Sequence, residues 1–313
     1  YLLSMVLTVI APIGFASTAG GFWTAALWRC LQGIGLAGTY MPGLKLLTDV
    51  VPESARSRTV AWYTALFYVG AALSLYFGTN LNGLMDWRWI WMFSASGPAI
   101  ALLMVWLILP AVPPNIDDLP AGGLLDLRPA LTNRKVMGFT MAYSAHSAEL
   151  MGFYTWIVAF LTFSQGMQHP GTPGTSLGIG AIASTVTLLA VPASLLGNEA
   201  ARRFGRLRVL RIVMLGSAVV AAALGFSATL SFPVVLGLLL LYGISVAADS
   251  ATITAGVVDM AEPRYRGTVM AAYSLIGFIG ASMGPIVFGF MLDLGGGETS
   301  SLGWGLGFMS LSF

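Results

Sequence analysis

Three titratable residues lie deep inside apolar stretches, where a charged side chain is costly and usually functional. Glu149 is thirteen residues into the apolar run 136–163, about 20 Å along a ~30 Å hydrocarbon core, and His146 precedes it by three residues. Asp249 interrupts another apolar run. A carboxyl group in hydrocarbon favours its protonated form, so it can load and release protons. The pattern predicts proton coupling at Glu149, with His146 and Asp249 as further candidates.

Polar and aromatic residues in the same runs are typical of a cavity that binds a small solute. Tyr143 shares a helix face with His146 and Glu149, because the three are spaced three residues apart. Arg29 and Gln32 are one turn apart in another run, where Arg29 can serve structure or coupling as well as solute contact. An alternative is that His146 and Glu149 only satisfy each other or a neighbouring backbone. The cavity candidates are Arg29, Gln32, Tyr143, Phe153, Tyr154 and Tyr242.

The histidines do not indicate a metal enzyme. The chain has two histidines and no H-E-x-x-H sequence, the helical arrangement that binds catalytic zinc. His146-x-x-Glu149 resembles half of a carboxylate-bridged metal motif in reversed order, but a second copy is missing. We therefore predict no catalytic residue, metal site or cofactor.

The composition indicates that the bilayer is the solvent of this chain. Hydrophobic residues make up 57% and charged residues 9%, against about 45–50% and 25% in soluble domains. The net charge of +2 argues against a nucleic-acid partner. Cys30 is the single cysteine, so an internal disulfide is excluded.

The hydropathy pattern predicts ten apolar segments, because about 20 residues span the hydrocarbon core. They cover residues 1–17, 22–47, 58–81, 89–109, 136–163, 177–196, 207–230, 233–258, 267–292 and 302–313. Lysine and arginine lie almost entirely in alternate connections, with 13 on one side and only Arg88 on the other. The positive-inside rule places the 13-residue side in the cytoplasm.

One stretch occurs twice, which predicts two related halves. Residues 31–71 match residues 241–281 at ten positions when shifted by 210, without a gap. The identities include charged residues, a tyrosine and glycines. The pairs are Asp49 and Asp259, Arg56 and Arg266, Tyr63 and Tyr273, and Gly70 and Gly280. Long-spaced helical repeats in an apolar chain are typical of secondary transporters.

The repeat offset also predicts the domain organisation. Val136 maps to a position before residue 1, so we expect two helices, about 70 residues, to be absent from the front and the last helix to be incomplete. The segment 110–135 carries five prolines and several charges, as expected of a linker. We predict an N-terminal half at 1–109, a cytoplasmic linker at 110–135 and a C-terminal half at 136–313.

Two motifs carry a resemblance to a known family. Residues Arg29 to Gly35 read R-x-x-Q-G-x-G, which is similar to the fourth-helix motif of the major facilitator superfamily of secondary transporters. Arg203, Gly205 and Arg206 resemble the end of the family's G-x-L-A-D-R-x-G-R-R cytoplasmic loop. The resemblance covers the whole chain, which would begin at the family's third helix. It implies an all-α membrane bundle of two six-helix halves and internal charge pairing by Arg29.

The combined interpretation is a secondary active transporter, not an enzyme, that moves a small solute by alternating access and is coupled to protons. Its expected partners are the solute, protons and the lipid bilayer of the plasma or inner membrane, and we expect a monomer. A non-transporting sensor on the same scaffold, a uniporter and an efflux carrier stay open as alternatives.

Overall fold

The computed structural model describes residues 1–108, 126–168 and 176–312. Over these residues the regular structure is helical, which confirms the all-α prediction. The α-helices in chain order are α1 (Leu2–Thr18), α2 (Phe22–Ala37), α3 (Tyr40–Val50), α4 (Glu53–Leu81), α5 (Trp87–Ser94), α6 (Ser96–Ile108), α7 (Arg128–Leu131), α8 (Arg134–Gln168), α9 (Ser176–Phe204), α10 (Arg206–Gly225), α11 (Phe232–Ala248), α12 (Ser250–Met260), α13 (Arg266–Leu294) and α14 (Ser301–Met309).

The helices have the length and the apolar surface expected of membrane-spanning helices. In the described part of the chain, seven helical stretches are long and apolar enough to cross a membrane, and α1 is a shorter apolar helix. Side chains that face outward are large and hydrophobic, including Leu3, Trp23, Leu215 and Val219, which are 70–86% exposed. Such a surface is stable only in contact with lipid. The protein is therefore a multi-pass integral membrane protein.

Three segments predicted as continuous are broken. The segment 22–47 breaks at Gly38 and Thr39, between α2 and α3, and the segment 233–258 breaks at Asp249. The Thr39 hydroxyl donates to the carbonyls of Gly35 and Leu36, which competes with helical hydrogen bonding. Thr39 and Asp249 are the same position of the repeat, so both copies break at one place.

The third break separates α5 from α6 at Ala95. Pro98 is the third residue of α6, where its missing N–H and fixed φ are tolerated because the first turn of a helix has unpaired N–H groups anyway. The stretch Trp87–Ile108 is still long and apolar enough to cross a membrane, so the predicted segment 89–109 is one span made of two short helices. Leu109 lies outside the described residues, as do residues 110–125 of the predicted linker.

Helices α8 and α13 pack with their backbones in close contact. A Cβ on Gly280 would meet the carbonyl oxygen of Ser144, and one on Gly284 would meet the carbonyl oxygen of Ala148. The Ser144 hydroxyl also donates to the Ile276 carbonyl at 3.0 Å. Glycines four residues apart thus let the two backbones touch, as expected for membrane helices.

The equivalent face of α4 is uncovered. Gly70 and Ser74, the repeat counterparts of Gly280 and Gly284, are exposed. A Cβ on Gly70 would have no neighbour within 4 Å. The two copies therefore share a scaffold but differ in what lies against it.

Candidate functional site

Two of the predicted titratable residues meet in the interior. His146 lies on α8 and Asp249 lies at the break between α11 and α12, and His146 Nδ1 is 2.8 Å from Asp249 Oδ1. Their side chains are 1% and 3% exposed. The two atoms are at ion-pair distance, but they are not aligned as a hydrogen bond. The helix break thus places a carboxylate against the imidazole in the buried interior.

Glu149 lies one turn beyond His146 on α8 and is also buried. Its Oε1 accepts a hydrogen bond of 2.5 Å from the hydroxyl of Ser217 on α10. Sequence analysis missed Ser217, although a polar residue in the middle of an apolar helix is a signal that could have indicated it. The structure therefore gathers three titratable groups and one hydroxyl from α8, α10 and the α11–α12 break.

We name Glu149, His146, Asp249 and Ser217 the buried cluster. A protonated His146 beside an ionised Asp249 is neutral as a pair, whereas an ionised Glu149 adds a net negative charge. A net charge inside an apolar medium is costly. The number of protons that the buried cluster holds is therefore tied to how well its surroundings exclude water.

Aromatic rings pack around the buried cluster. Tyr143 stacks on Tyr273 with ring centroids 4.0 Å apart, and Phe153 meets the edge of Tyr242 at 4.8 Å. Phe153 and Tyr242 are fully buried, and Tyr154 is partly buried against the same core. In this structure the predicted cavity residues Tyr143, Phe153 and Tyr242 are part of the packed interior.

Arg29 and Gln32 lie elsewhere. They line a cavity of about 770 Å³ between α1, α2, α4, α5 and α6. Arg29 Nη1 donates to Gln32 Oε1 at 2.8 Å, and its guanidinium lies 5.2 Å from the centre of the Trp91 ring. The structure thus brings these two predicted residues together but does not join them to the buried cluster.

The predicted loop motif lies between α9 and α10. Gly205 has a φ of +92°, a conformation that favours glycine. Arg206 Nη2 lies 2.8 Å from Asp259 Oδ2 at the end of α12, and Arg203 Nε lies 3.5 Å from Glu199. The motif therefore ties the start of α10 to the end of α12.

Further ion pairs join the first repeat to later helices at the same end of the bundle, which we call the arginine-rich end. Arg266 Nη1 lies 3.3 Å from Asp49 Oδ1, and Arg58 Nη2 lies 3.5 Å from Glu199 Oε2. Asp49 also accepts from Lys45 at 2.6 Å. These pairs connect α3 and α4 to α9 and α13.

A metal centre is not indicated at any of these places. Among residues 1–108, 126–168 and 176–312, no group of three or more histidine, cysteine or acidic residues is arranged to hold a metal ion. The arrangement of the buried cluster suits proton uptake and release, because its groups are acids, a base and a hydroxyl donor.

Comparison with known proteins identifies the protein family to which the chain belongs. The sequence profile of the Major Facilitator Superfamily matches residues 1–285. The D-galactonate transporter of Escherichia coli is 24% identical over 178 residues, which cover 49% of this chain and 41% of that protein. The efflux pump terG of Aspergillus terreus is 27% identical over 121 residues, 39% of this chain and 23% of that protein. The matches thus span less than half the length of these relatives.

Solved structures share the fold. The human organic anion transporter MFSD10 (TETRAN) superposes with a TM-score of 0.70 at 20% identity, covering 99% of this chain and 76% of that one. The transporter FucP in its outward conformation superposes with a TM-score of 0.65 at 17% identity, covering 99% of this chain and 80% of that one. These proteins are transporters, which are in general not enzymes. With a profile match over most of its length, the chain belongs to the Major Facilitator Superfamily of membrane transporters.

Proposed function

We propose that this protein is a proton-coupled secondary transporter of a small solute that works by alternating access. The observation that carries the proposal is the buried cluster, in which three titratable groups lie within the core of a membrane bundle. Groups of this kind in a membrane protein are costly and mark ion pathways in pumps and transporters. A sensor or a uniporter has no need of such a cluster.

The proposed proton site is Glu149, with the His146–Asp249 pair as its neighbour. Glu149 is hydrogen-bonded by Ser217 while closed from water. A proton taken up by Glu149 removes a buried charge, and solvation of the site by one aqueous side favours release. Coupling follows if the closed arrangement forms with the carboxyl protonated and the open one with the carboxyl ionised.

The two halves are proposed as 1–109 and 136–313, joined by the linker 110–135. Support comes from the shared helix break at Thr39 and Asp249 and from the ion pairs that join residues before the linker to residues after it at the arginine-rich end. Opening that end must separate Asp49 from Arg266. Alternating access therefore exchanges these pairs for water on one side of the cycle.

The uncovered face of α4 supports the proposal that each half has six helices. In the second repeat, α8 covers the equivalent glycines of α13. An equivalent helix from outside residues 1–313 would fill the cavity beside α4, where Arg29 and Gln32 lie. On this proposal the described helices correspond to the family's third and later helices, and Arg29 pairs with groups of that helix.

The arginine-rich end is proposed to face the cytoplasm of a plasma or inner membrane, with the protein acting as a monomer. The support is the positive-inside rule. Single cysteines at Val50 and Leu84, which are 75% and 78% exposed, test this orientation in a Cys30→Ser background. An impermeant maleimide added to intact cells should label Leu84→Cys and spare Val50→Cys.

The transport proposal is tested with the complete natural polypeptide in proteoliposomes. A panel of radiolabelled organic anions and sugars, including D-galactonate because one relative transports it by name, is offered with and without an inward proton gradient. We expect at least one solute to accumulate only with the gradient and to move protons with it, measured by an internal pH dye. Equal uptake with and without the gradient would support a uniporter instead.

A further inference from the structure

Two residues that differ between the repeats lie at or near the buried cluster. Asp249 has Thr39 as its counterpart, and Tyr68 has Phe278 as its counterpart. In contrast, Tyr63 and Tyr273 are the same in both copies, and each hydroxyl has a local partner: Tyr63 donates to the Tyr40 carbonyl, and Tyr273 is 2.9 Å from Thr254. The hydroxyl of Tyr68 is therefore not required by the shared scaffold.

Tyr68 brings a polar atom from the first repeat to the second. It lies on α4, its side chain is fully buried, and it packs in the same core as Leu150 and Phe153 of α8. Its hydroxyl lies beside Ser250, the residue that follows Asp249 at the α11–α12 break. Within the part of the chain that the structure describes, this hydroxyl has no hydrogen-bond partner with good geometry.

An unpartnered buried hydroxyl is costly, because it loses its hydrogen bonds to water without replacement. The phenylalanine at the counterpart position shows that the ring can pack on this scaffold without the hydroxyl. The titratable groups around it are Asp249, His146 and Glu149 of the buried cluster, Tyr154 on α8 and Tyr40 on α3. Asp249 is the carboxylate in this set that is paired with His146 and adjoins Ser250 in the chain.

We propose that Tyr68 is a positioning residue through which the first repeat responds to the charge of the His146–Asp249 pair. When Asp249 is ionised and released from His146, the Tyr68 hydroxyl donates to it, directly or through the Ser250 hydroxyl. When Asp249 is held by His146, the Tyr68 hydroxyl is left without a partner, as in this structure. The change favours different packing of α4 on α12 in the two states. The proton itself does not pass through Tyr68.

This inference rests on the proposed proton coupling, so its experiment separates the two. Spin labels at Leu84 and Leu230, exposed residues of the α4–α5 and α10–α11 connections at the end opposite the arginine-rich end, report the opening between the two halves in lipid nanodiscs. The complete polypeptide carries Cys30→Ser, and inter-label distances are measured at about pH 5 and about pH 8, the range in which histidine titrates. A solute is not needed.

For the parent protein we expect two distance populations whose ratio shifts between the two pH values. Tyr68→Phe should reduce that shift about tenfold, the fold-change expected when a hydrogen bond to an ionised carboxylate is lost. Ser250→Ala should reduce it in the same direction. Tyr76→Phe, a change of the same kind at an exposed position of α4, should leave the shift unchanged.

The outcomes distinguish the two proposals. A parent protein whose distances ignore pH would overturn proton coupling, and with it this role of Tyr68. If the distances in the parent protein shift with pH and those in Tyr68→Phe shift equally, the role of Tyr68 alone would be overturned. Unfolding of Tyr68→Phe would appear as a lost size-exclusion peak, in which case the Ser250→Ala result decides.

Discussion

The two copies of the repeat, residues 31–71 and 241–281, use one scaffold for different tasks. Both break at the same position, and both carry an aspartate and an arginine near the turn at the arginine-rich end, midway through the copy. They differ at the break itself, where Thr39 stands in one copy and Asp249 in the other. The comparison teaches that identical residues maintain the fold, whereas the positions that diverge carry titratable or hydrogen-bonding chemistry.

The largest difference in stability loss between matched substitutions in the two copies is expected at the helix break. Asp249→Asn leaves the His146 imidazole without its carboxylate in a buried site, which should destabilise the protein by about 3 kcal/mol. Thr39→Ala removes only a hydroxyl that bonds locally to Gly35 and Leu36, and should cost less than about 1 kcal/mol. Chemical unfolding in mixed micelles measures both. Equal losses would break the distinction between the copies.

The next largest difference in stability is expected between substitutions of the matched glycines of α4 and α13. Gly280→Ala places a methyl group against the Ser144 carbonyl, and overpacking of this kind costs about 1–3 kcal/mol. Gly70→Ala adds a methyl group to open space in the structure and gains helix propensity. In the isolated chain it should be neutral or stabilising by about 0.5 kcal/mol, as measured by the same unfolding assay. A loss at Gly70 equal to that at Gly280 would show that a helix already covers α4.

A smaller effect is expected at the pairs between the repeats. Asp49 is partly exposed, and its bond to Arg266 spans 3.3 Å, so Asp49→Asn should cost about 0.5–1 kcal/mol. The loss should shrink in high salt, because exposed pairs are screened. A loss that does not depend on salt would contradict this assignment.

The smallest effect on the protein is expected from a substitution in the linker, at Arg128. Hydrogen bonds from the side chain and the backbone N–H of Arg128 lower the pKa of Asp126. A lowered carboxyl pKa favours the folded state above the ordinary value of about 3.9, and this contribution is lost as the pH falls through the lowered pKa. Arg128→Ala should raise the pKa of Asp126 toward its ordinary value in an NMR titration. Transport at neutral pH should not change, and a loss of transport would assign the linker a role in the cycle.

Much of the fold could be predicted from the sequence, because apolar length and repeats are local or directly comparable features. The helix breaks could not, since Thr39 and Asp249 do not prevent a helix by propensity alone. The packing of α1 on α2 uses Gly35 and Gly38 against Thr8 and Ser4, a choice that depends on the angle between the helices.

The candidate site was predictable only as separate residues. His146 and Glu149 share a helix face, which spacing indicates. Asp249 is 103 residues away from His146 in the sequence, so their contact depends on how α8 meets the α11–α12 break. Ser217 is a polar residue in an apolar helix, which the sequence analysis passed over, and Tyr68 carries no such signal. The partners of both residues come only from the packed structure.

Glu149→Gln tests the central claim most directly. With the complete polypeptide in proteoliposomes and a solute found in the gradient screen, accumulation and solute exchange are measured in parallel, with Glu53→Gln at an exposed position as the control. Glutamine keeps a polar side chain of similar shape but cannot release a proton. We predict that Glu149→Gln abolishes gradient-driven accumulation and retains exchange, while Glu53→Gln behaves as the parent protein. Normal accumulation by Glu149→Gln would contradict the account, and it would move the proton site to Asp249 if Asp249→Asn fails where Glu149→Gln succeeds.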